Sequence, residues 1–236
     1  MANDECLIVQ FRPMRPLILA SASPRRRQLL ALAGWPFDVS TADIDETPLN
    51  NEAPREFVSR LSQAKARAVA SRLASDSSEP PVIVACDTTV VLDDRLLNKP
   101  ADAAEARAML AALRARTHEV LTGLAILDTA TEALHAEVVV SRVPMRAFTD
   151  PEMEAYIASG DPLDKAGGYA IQHPGFQPVD RAAFVDCFAN VMGLPLCHLL
   201  RRLRALGLDA PTLPQACQAF IPYECPIFRE LLIVDR

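Results

Sequence analysis

Asp87 stands inside the apolar run Val82–Leu92, VIVACDTTVVL, where a carboxylate must be paired, hydrogen-bonded, bound to a metal or left with a raised pKa. Thr88 and Thr89 beside it can supply hydroxyls; the alternative is that Asp87 lies at a strand end and caps a turn. Lys65 poses a similar question on a helix that Pro54 opens. Phe57, Leu61, Ala64 and Ala68 mark the inward stripe of that helix, with Val58 at its edge. Lys65 falls between Leu61 and Val58, so its ammonium is aimed inward unless it snorkels over apolar surface. Asp45 and Glu46 follow a strand-like run and precede Pro48. Their hard oxygens suit a divalent cation shared with a phosphate, and an ordinary acidic turn would need no such ligand.

The stretch Leu17–Leu30, LILASASPRRRQLL, joins a strand-like run to a helix start rich in arginine. Ser23 can cap a helix whose first residue is Pro24, and the free N–H groups and dipole of the first turn favour phosphate. Leu29, Leu30, Leu32 and Ala33 define the buried arc. Arg25 and Arg26 project within or beside it, while Arg27 points away. Inward arginines call for an anionic partner, unless the helix is a surface one with ordinary salt bridges. Further on, Asp164-Lys165-Ala166-Gly167-Gly168-Tyr169 sets both charge signs against a glycine pair, which permits either close approach to a ligand or a simple turn.

Several chemistries are disfavoured. There is no Gly-x-Ser-x-Gly elbow, His-Glu-x-x-His helix, Walker loop or Gly-x-Gly-x-x-Gly, and the four histidines (118, 135, 173, 198) lack metal-ligand spacing. The six cysteines, at 6, 86, 187, 197, 217 and 225, form no C-x-x-C pair and read as reduced thiols. Cys187/Cys197 and Cys217/Cys225 are spaced C-x₉-C and C-x₇-C, outside the common zinc patterns, so buried apolar thiols are expected rather than zinc.

The elements that must position these residues follow from periodicity and turn chemistry. Residues 17–20 read as a strand and 24–34 as a helix stopped by Gly34. Phe37–Ile44 should be extended, 54–73 helical, 75–81 a polar linker, 82–92 a buried strand and 101–113 a helix. His118–Leu127 and Ala133–Val143 form a hairpin around DTATE. Asp150 caps a helix to Ser159 with Pro151 first, 161–178 is a loop, and 194–206 the last clear helix. The 236 residues, half of them hydrophobic, suffice for one sizeable core, and the net charge of −6 argues against a nucleic-acid partner. No run approaches the roughly 20 apolar residues of a membrane span, and the N-terminus does not read as a secretory signal, so a cytoplasmic protein is expected.

The motifs SASPRRRQLL, DIDETP, RLSQAKARAVA, ACDTTVVLDDRLLNKP, DPLDKAGGYAIQ and NVMGLPL resemble, in this order, those of the Maf family of nucleoside triphosphate pyrophosphatases. The resemblance covers about residues 17–208, leaving 1–16 as an N-terminal extension and 209–236 as a C-terminal one that contains prolines and cysteines. It implies an α/β fold similar to inosine triphosphate pyrophosphatase: a mixed, twisted sheet flanked by helices, in two lobes about a cleft. It further implies hydrolysis of a nucleoside triphosphate to monophosphate and pyrophosphate with Mg²⁺ or Mn²⁺, in a chain able to form a homodimer. Asp87 matches the catalytic base, and Glu46 the acid that shares the metal with it. Ser21, Arg25, Arg26, Lys65 and Lys99 match the phosphate-binding positions. DKAGGYAIQ resembles the dTTP/UTP branch, in which the positions of Arg25, Thr88 and Gln172 bear on base choice. Two segments depart from that branch: His173 replaces a Gly, and Asp186-Cys187-Phe188-Ala189 replaces a Gly-Ser-Tyr-like stretch. The same resemblance admits a nucleotide-binding regulator of septum formation, and a hydrolase of another phosphorylated substrate is the third reading.

Overall fold

The computed structural model describes residues 15–73, 79–221 and 223–232; most of the N-terminal extension and part of the polar linker fall outside them. Its strands are β1 (Leu17–Leu19), β2 (Asp38–Val39), β3 (Val82–Leu92), β4 (Arg95–Leu97), β5 (Thr117–Asp128) and β6 (Ala133–Pro144). They form one mixed sheet in the order β2-β1-β3-β5-β6, with β4 also paired to β3. β1 runs parallel to β2 and β3, and the remaining pairings are antiparallel. β3 coincides with the apolar run, so Asp87 lies within a strand and not at its end. β4 was not expected: it is three residues long and returns through Asp93 and Asp94, both at positive φ.

The helices are α1 (Pro24–Ala31), α2 (Pro54–Ala70), α3 (Ala103–Leu113), α4 (Asp150–Ala158), α5 (Phe188–Val191), α6 (Leu196–Arg204), α7 (Leu213–Phe220) and α8 (Ile227–Leu232). Several boundaries differ from expectation for local reasons. α1 stops before Gly34 because the N–H groups of Ala33 and Gly34 reach back only three residues, to Leu30 and Ala31. The cap of α4 is Thr149, not Asp150: Thr149 Oγ1 accepts from Glu152 N at 3.4 Å while Glu152 Oε2 accepts from Thr149 N at 2.7 Å. Of Phe37–Ile44 only two residues pair with β1. The loop after α4 holds two short 3₁₀ turns, Asp161–Asp164 and Ala166–Gly168. The segment from Leu208 to Ile221 buries Leu208, Ala210, Leu213, Cys217 and Ile221 in the main core.

Because side chains alternate along a strand, β3 serves two cores. Val82, Val84, Cys86 and Val90 face the main core, which also contains residues of α1, α3, α4 and α6. Ile83 and Ala85 face a second cluster with Ala66 and Val69 of α2, and Val91 joins a third with Phe57, Val58 and Leu61. The buried stripe of α2 is thus centred on Val58, Leu61, Ser62, Ala66 and Val69, rotated from the expected one, since Ala64 and Ala68 are only half-buried. Lys65, two turns beyond Val58, lies on that face.

The sheet is interrupted where the chemistry sits. β5 occupies one edge of β3 from Val82 to Val91. On the other edge β1 pairs along Val82–Val84 and β4 along Val90–Leu92, so the strand between them carries no strand partner on that side. Opposite Asp87 on β5 stands Gly123. A Cβ there would lie 2.1 Å from the carbonyl oxygen of Val58, so glycine is what lets α2 press onto the sheet beside Asp87. Gly123→Ala is expected to cost about 2–3 kcal/mol of stability by overpacking, read as a lower urea midpoint. An unchanged midpoint would mean that α2 does not need this close approach.

Candidate active site

A cleft of about 580 Å³ opens at the interruption in the sheet. Its walls include Ser21, Arg25 and Arg26 from the β1–α1 junction, Glu46 from the loop before α2, and Lys65 from α2. Asp87 and Thr88 of β3, Lys99 after β4, and Gln172 complete the set that the sequence singled out, and all nine line this one space.

Lys65 Nζ sits 2.6 Å from Asp87 Oδ1 and 2.7 Å from Glu46 Oε1. The ammonium does not snorkel to water: its side chain is 12% exposed, and that of Asp87 is 10% exposed. Burial between apolar clusters makes an isolated charge costly, and the pairing offsets that cost. The Glu46 side chain, 54% exposed, approaches from the cleft side, so the two carboxylates converge on one cation at the wall. Asp45 is elsewhere engaged: the Thr47 side chain and then the Thr47 N–H, at 2.9 Å from its carboxylate, hold its pKa below the usual carboxylate range.

The arginines at the other wall divide. Ser23 caps α1 as expected, accepting from Arg26 N at 3.4 Å. Arg26 needs no acidic side chain, because its guanidinium donates to the Gly193 carbonyl (2.8 Å), Thr88 Oγ1 (3.0 Å) and Ser21 Oγ (3.2 Å). Those bonds engage three of its five donors and aim the group along the cleft. Arg25 stands 3.8 Å from Asp164 Oδ2, a loose pairing, and Arg27 is exposed. Lys165 is buried, bonding the carbonyl (2.7 Å) and carboxylate (2.9 Å) of Asp161 and also the Asp164 carboxylate. The charged pair before the glycines therefore braces its own loop.

Sequence reasoning gave no role to the residues behind this wall. Asn190 is fully buried, and its amide donates to Ser141 Oγ at 3.0 Å and to the carbonyls of Val120 and Val139. The backbone carbonyl of Asn190 accepts from Thr122 Oγ1 (3.2 Å), which in turn meets Thr88 Oγ1 at 2.9 Å. Behind Tyr169, His118 Nε2 lies 2.7 Å from the phenolic oxygen, and burial pushes the imidazole pKa down to about 3. These partners come from strands far apart in sequence, so no local spacing announces them; only the motif NVMGLPL, which contains Asn190 and Gly193, marked the region.

The family model for Maf-like protein matches residues 16–206. The chain belongs to the Maf-like family. A relative from Myxococcus xanthus is 49% identical over 83% of this chain and 94% of its own length, and one from Geobacter metallireducens is 45% identical over 81% and 96%. A third, from Pelotomaculum thermopropionicum, is 40% identical over 83% and 99%. All three bear the name dTTP/UTP pyrophosphatase. A solved structure of a Vibrio cholerae protein aligns over 81% of the chain at 12% identity with a TM-score of 0.38, too slight a likeness to bear on the site.

Both segments that depart from the resembled branch are anchored by hydrogen bonds. His173 Nδ1 accepts from the N–H groups of Gly175 (3.1 Å) and Phe176 (2.9 Å), and its ring meets Tyr156 edge-on, so the imidazole braces the turn after Gln172. Asp186 accepts from Arg142 N at 2.9 Å, fastening the segment before α5 to β6.

Removing the ammonium of Lys65 would leave the Asp87 charge buried against apolar neighbours. Lys65→Met is expected to lose about 2 kcal/mol of stability near neutral pH, most of it regained in the double variant Lys65→Met/Asp87→Asn. Strictly additive losses in urea titrations would show that the two groups are not coupled.

Proposed function

We propose that the chain hydrolyses nucleoside triphosphates at the bond between the α and β phosphates, giving monophosphate and pyrophosphate, with dTTP and UTP preferred. The observation that carries this reading is the Asp87–Lys65–Glu46 junction set in one cleft with Arg25, Arg26 and Lys99. A triphosphate needs several cations about it, and water needs a carboxylate to orient it and take its proton. Relatives up to 49% identical that bear the name dTTP/UTP pyrophosphatase support the same substrates.

In this reading the triphosphate lies along the cationic wall, where Arg26 has donors to spare and Arg25 exchanges its loose hold on Asp164 for phosphate. Asp87 Oδ1 is held by Lys65, which leaves Oδ2 to orient the attacking water in line with the leaving pyrophosphate. Lys65, Arg25, Arg26 and Lys99 stabilise the charge that builds on the phosphate oxygens.

Glu46 and Asp87 each give one oxygen to the Lys65 ammonium, and both carboxylates are hard donors of the kind that would hold Mg²⁺ or Mn²⁺ beside a phosphate. Such an ion supplies Lewis-acid polarisation of the phosphate and a lowered pKa for bound water. No helix among the described residues is long and apolar enough to cross a membrane, and we assign the activity to the cytoplasm, where nucleoside triphosphates and Mg²⁺ are plentiful.

Gln172, exposed at the mouth of the cleft, offers an amide donor and acceptor that match O4 and N3–H of uracil or thymine. Purified chain should release pyrophosphate from UTP and dTTP with kcat/KM well above that for CTP or GTP. The activity should disappear on chelation and return with Mg²⁺ or Mn²⁺. Asp87→Asn should lower kcat by about 10²–10⁴ with nucleotide affinity kept within about tenfold. Gln172→Ala should narrow the UTP-to-GTP ratio more than it weakens binding. Orthophosphate as the product, or a ratio untouched by Gln172→Ala, would contradict the corresponding part of the proposal.

A further inference from the structure

Four cysteines from separate stretches of the chain meet around one small space outside the cleft. Cys187 at the start of α5, Cys197 in α6, Cys217 in α7 and Cys225 just before α8 all line a cavity of about 20 Å³, room for about one water. The first three are buried, as expected of apolar thiols, but Cys225 is only half-buried and reachable from solvent. The side chains of Cys187 and Cys225 influence one another electrostatically across this space. Among the described residues no group of three or more His, Cys, Asp or Glu side chains is arranged to hold a metal.

The two sulfurs differ in character. The neighbouring Cys187 side chain, aided by backbone N–H groups of Ile227 and Phe228, brings the Cys225 thiol down to about 7, where an appreciable share is thiolate near neutral pH. The Cys187 thiol is pushed well above its ordinary value, by the neighbouring Cys225 side chain and by burial. One accessible thiolate beside one buried thiol is the arrangement of an attacking and a resolving cysteine.

We propose that Cys225 and Cys187 form a reversible dithiol–disulfide couple that takes its oxidising equivalents from a small disulfide such as glutathione disulfide. The Cys225 thiolate attacks one sulfur of glutathione disulfide; the S–S bond breaks, one glutathione leaves as thiolate and takes up a proton, and Cys225 carries a mixed disulfide. Cys187 then releases its proton to solvent, and its sulfur attacks the Cys225 sulfur, expelling the second glutathione. Two protein thiols are oxidised and one glutathione disulfide is reduced to two thiols.

The position gives the bond a consequence. Cys187 caps α5, its sulfur accepting from Asn190 N at 3.4 Å and its carbonyl from Ser141 Oγ at 3.1 Å. α5 leads directly to Gly193, whose carbonyl holds Arg26. A disulfide here ties the segment carrying α8 to the turn that supports the cationic wall of the cleft. The chain between the two cysteines becomes a closed loop, which stabilises the fold by restricting the unfolded chain.

The test uses the full chain, reduced and freed of metal with a chelator, then treated with glutathione disulfide near neutral pH and mapped by mass spectrometry. The expected result is a peptide linked through Cys187 and Cys225, two fewer alkylatable thiols, and a higher thermal midpoint that dithiothreitol reverses. Cys187→Ser should stop at a glutathione adduct on Cys225, and Cys225→Ser should leave Cys187 reduced. Full alkylation after treatment, a bridge joining any other pair, or protein purified without chelator that retains one equivalent of zinc shielding all four thiols would each overturn the proposal. No turnover is measured, so the result stands apart from the proposed activity.

Discussion

A lysine ammonium buried between two carboxylates is the constraint around which the rest of the cleft is arranged. Lys65 can occupy that position only because Asp87 and Glu46 share its charge, and Asp87 can lie inside an apolar strand only because Lys65 faces it. The contact requires α2 to lie close against β3 and β5, and Gly123 provides the space. It also requires an opening on the β1 side of β3, which the short β1 and the late return of β4 create. A sheet continuous along that edge would have buried Asp87 with no approach for a ligand.

The opposite wall obeys another rule. Arg26 is held by neutral oxygens from three places in the chain, Ser21, Thr88 and Gly193, so it keeps its full positive charge for a ligand while its direction is set. Thr88 is adjacent to Asp87, and strand alternation sends the two side chains to opposite faces of β3. One strand thereby serves both walls: the carboxylate reaches Lys65 and the hydroxyl reaches Arg26 and Thr122. Behind them Asn190 joins α5 to β5 and β6, so the wall rests on the core rather than on a free loop.

Much of this was legible in the sequence because misplaced polarity is a local signal. An aspartate in VIVACDTTVVL and a lysine on the inner face of an amphipathic helix stand out without any knowledge of tertiary contacts, and β3, the β5–β6 hairpin and the start of α2 follow from periodicity and turn residues. The bonds that direct Arg26 could not be read in this way, since backbone and hydroxyl acceptors from distant segments leave no trace in a helical wheel. The cap of α4 was misassigned by one residue because Thr149 and Asp150 are both good caps, and only the reciprocal bond to Glu152 decides between them. The convergence of four cysteines was likewise hidden, because α5, α6, α7 and the turn before α8 meet only in the folded chain.

The central claim, that a water oriented by Asp87 attacks the α-phosphorus, is tested most directly by hydrolysing UTP in water enriched in ¹⁸O and finding the label by mass spectrometry. The arrangement of Asp87 across the cleft from the cationic wall predicts one ¹⁸O in the nucleoside monophosphate and none in the pyrophosphate after a single turnover. Label in the pyrophosphate, with unlabelled monophosphate, would contradict it.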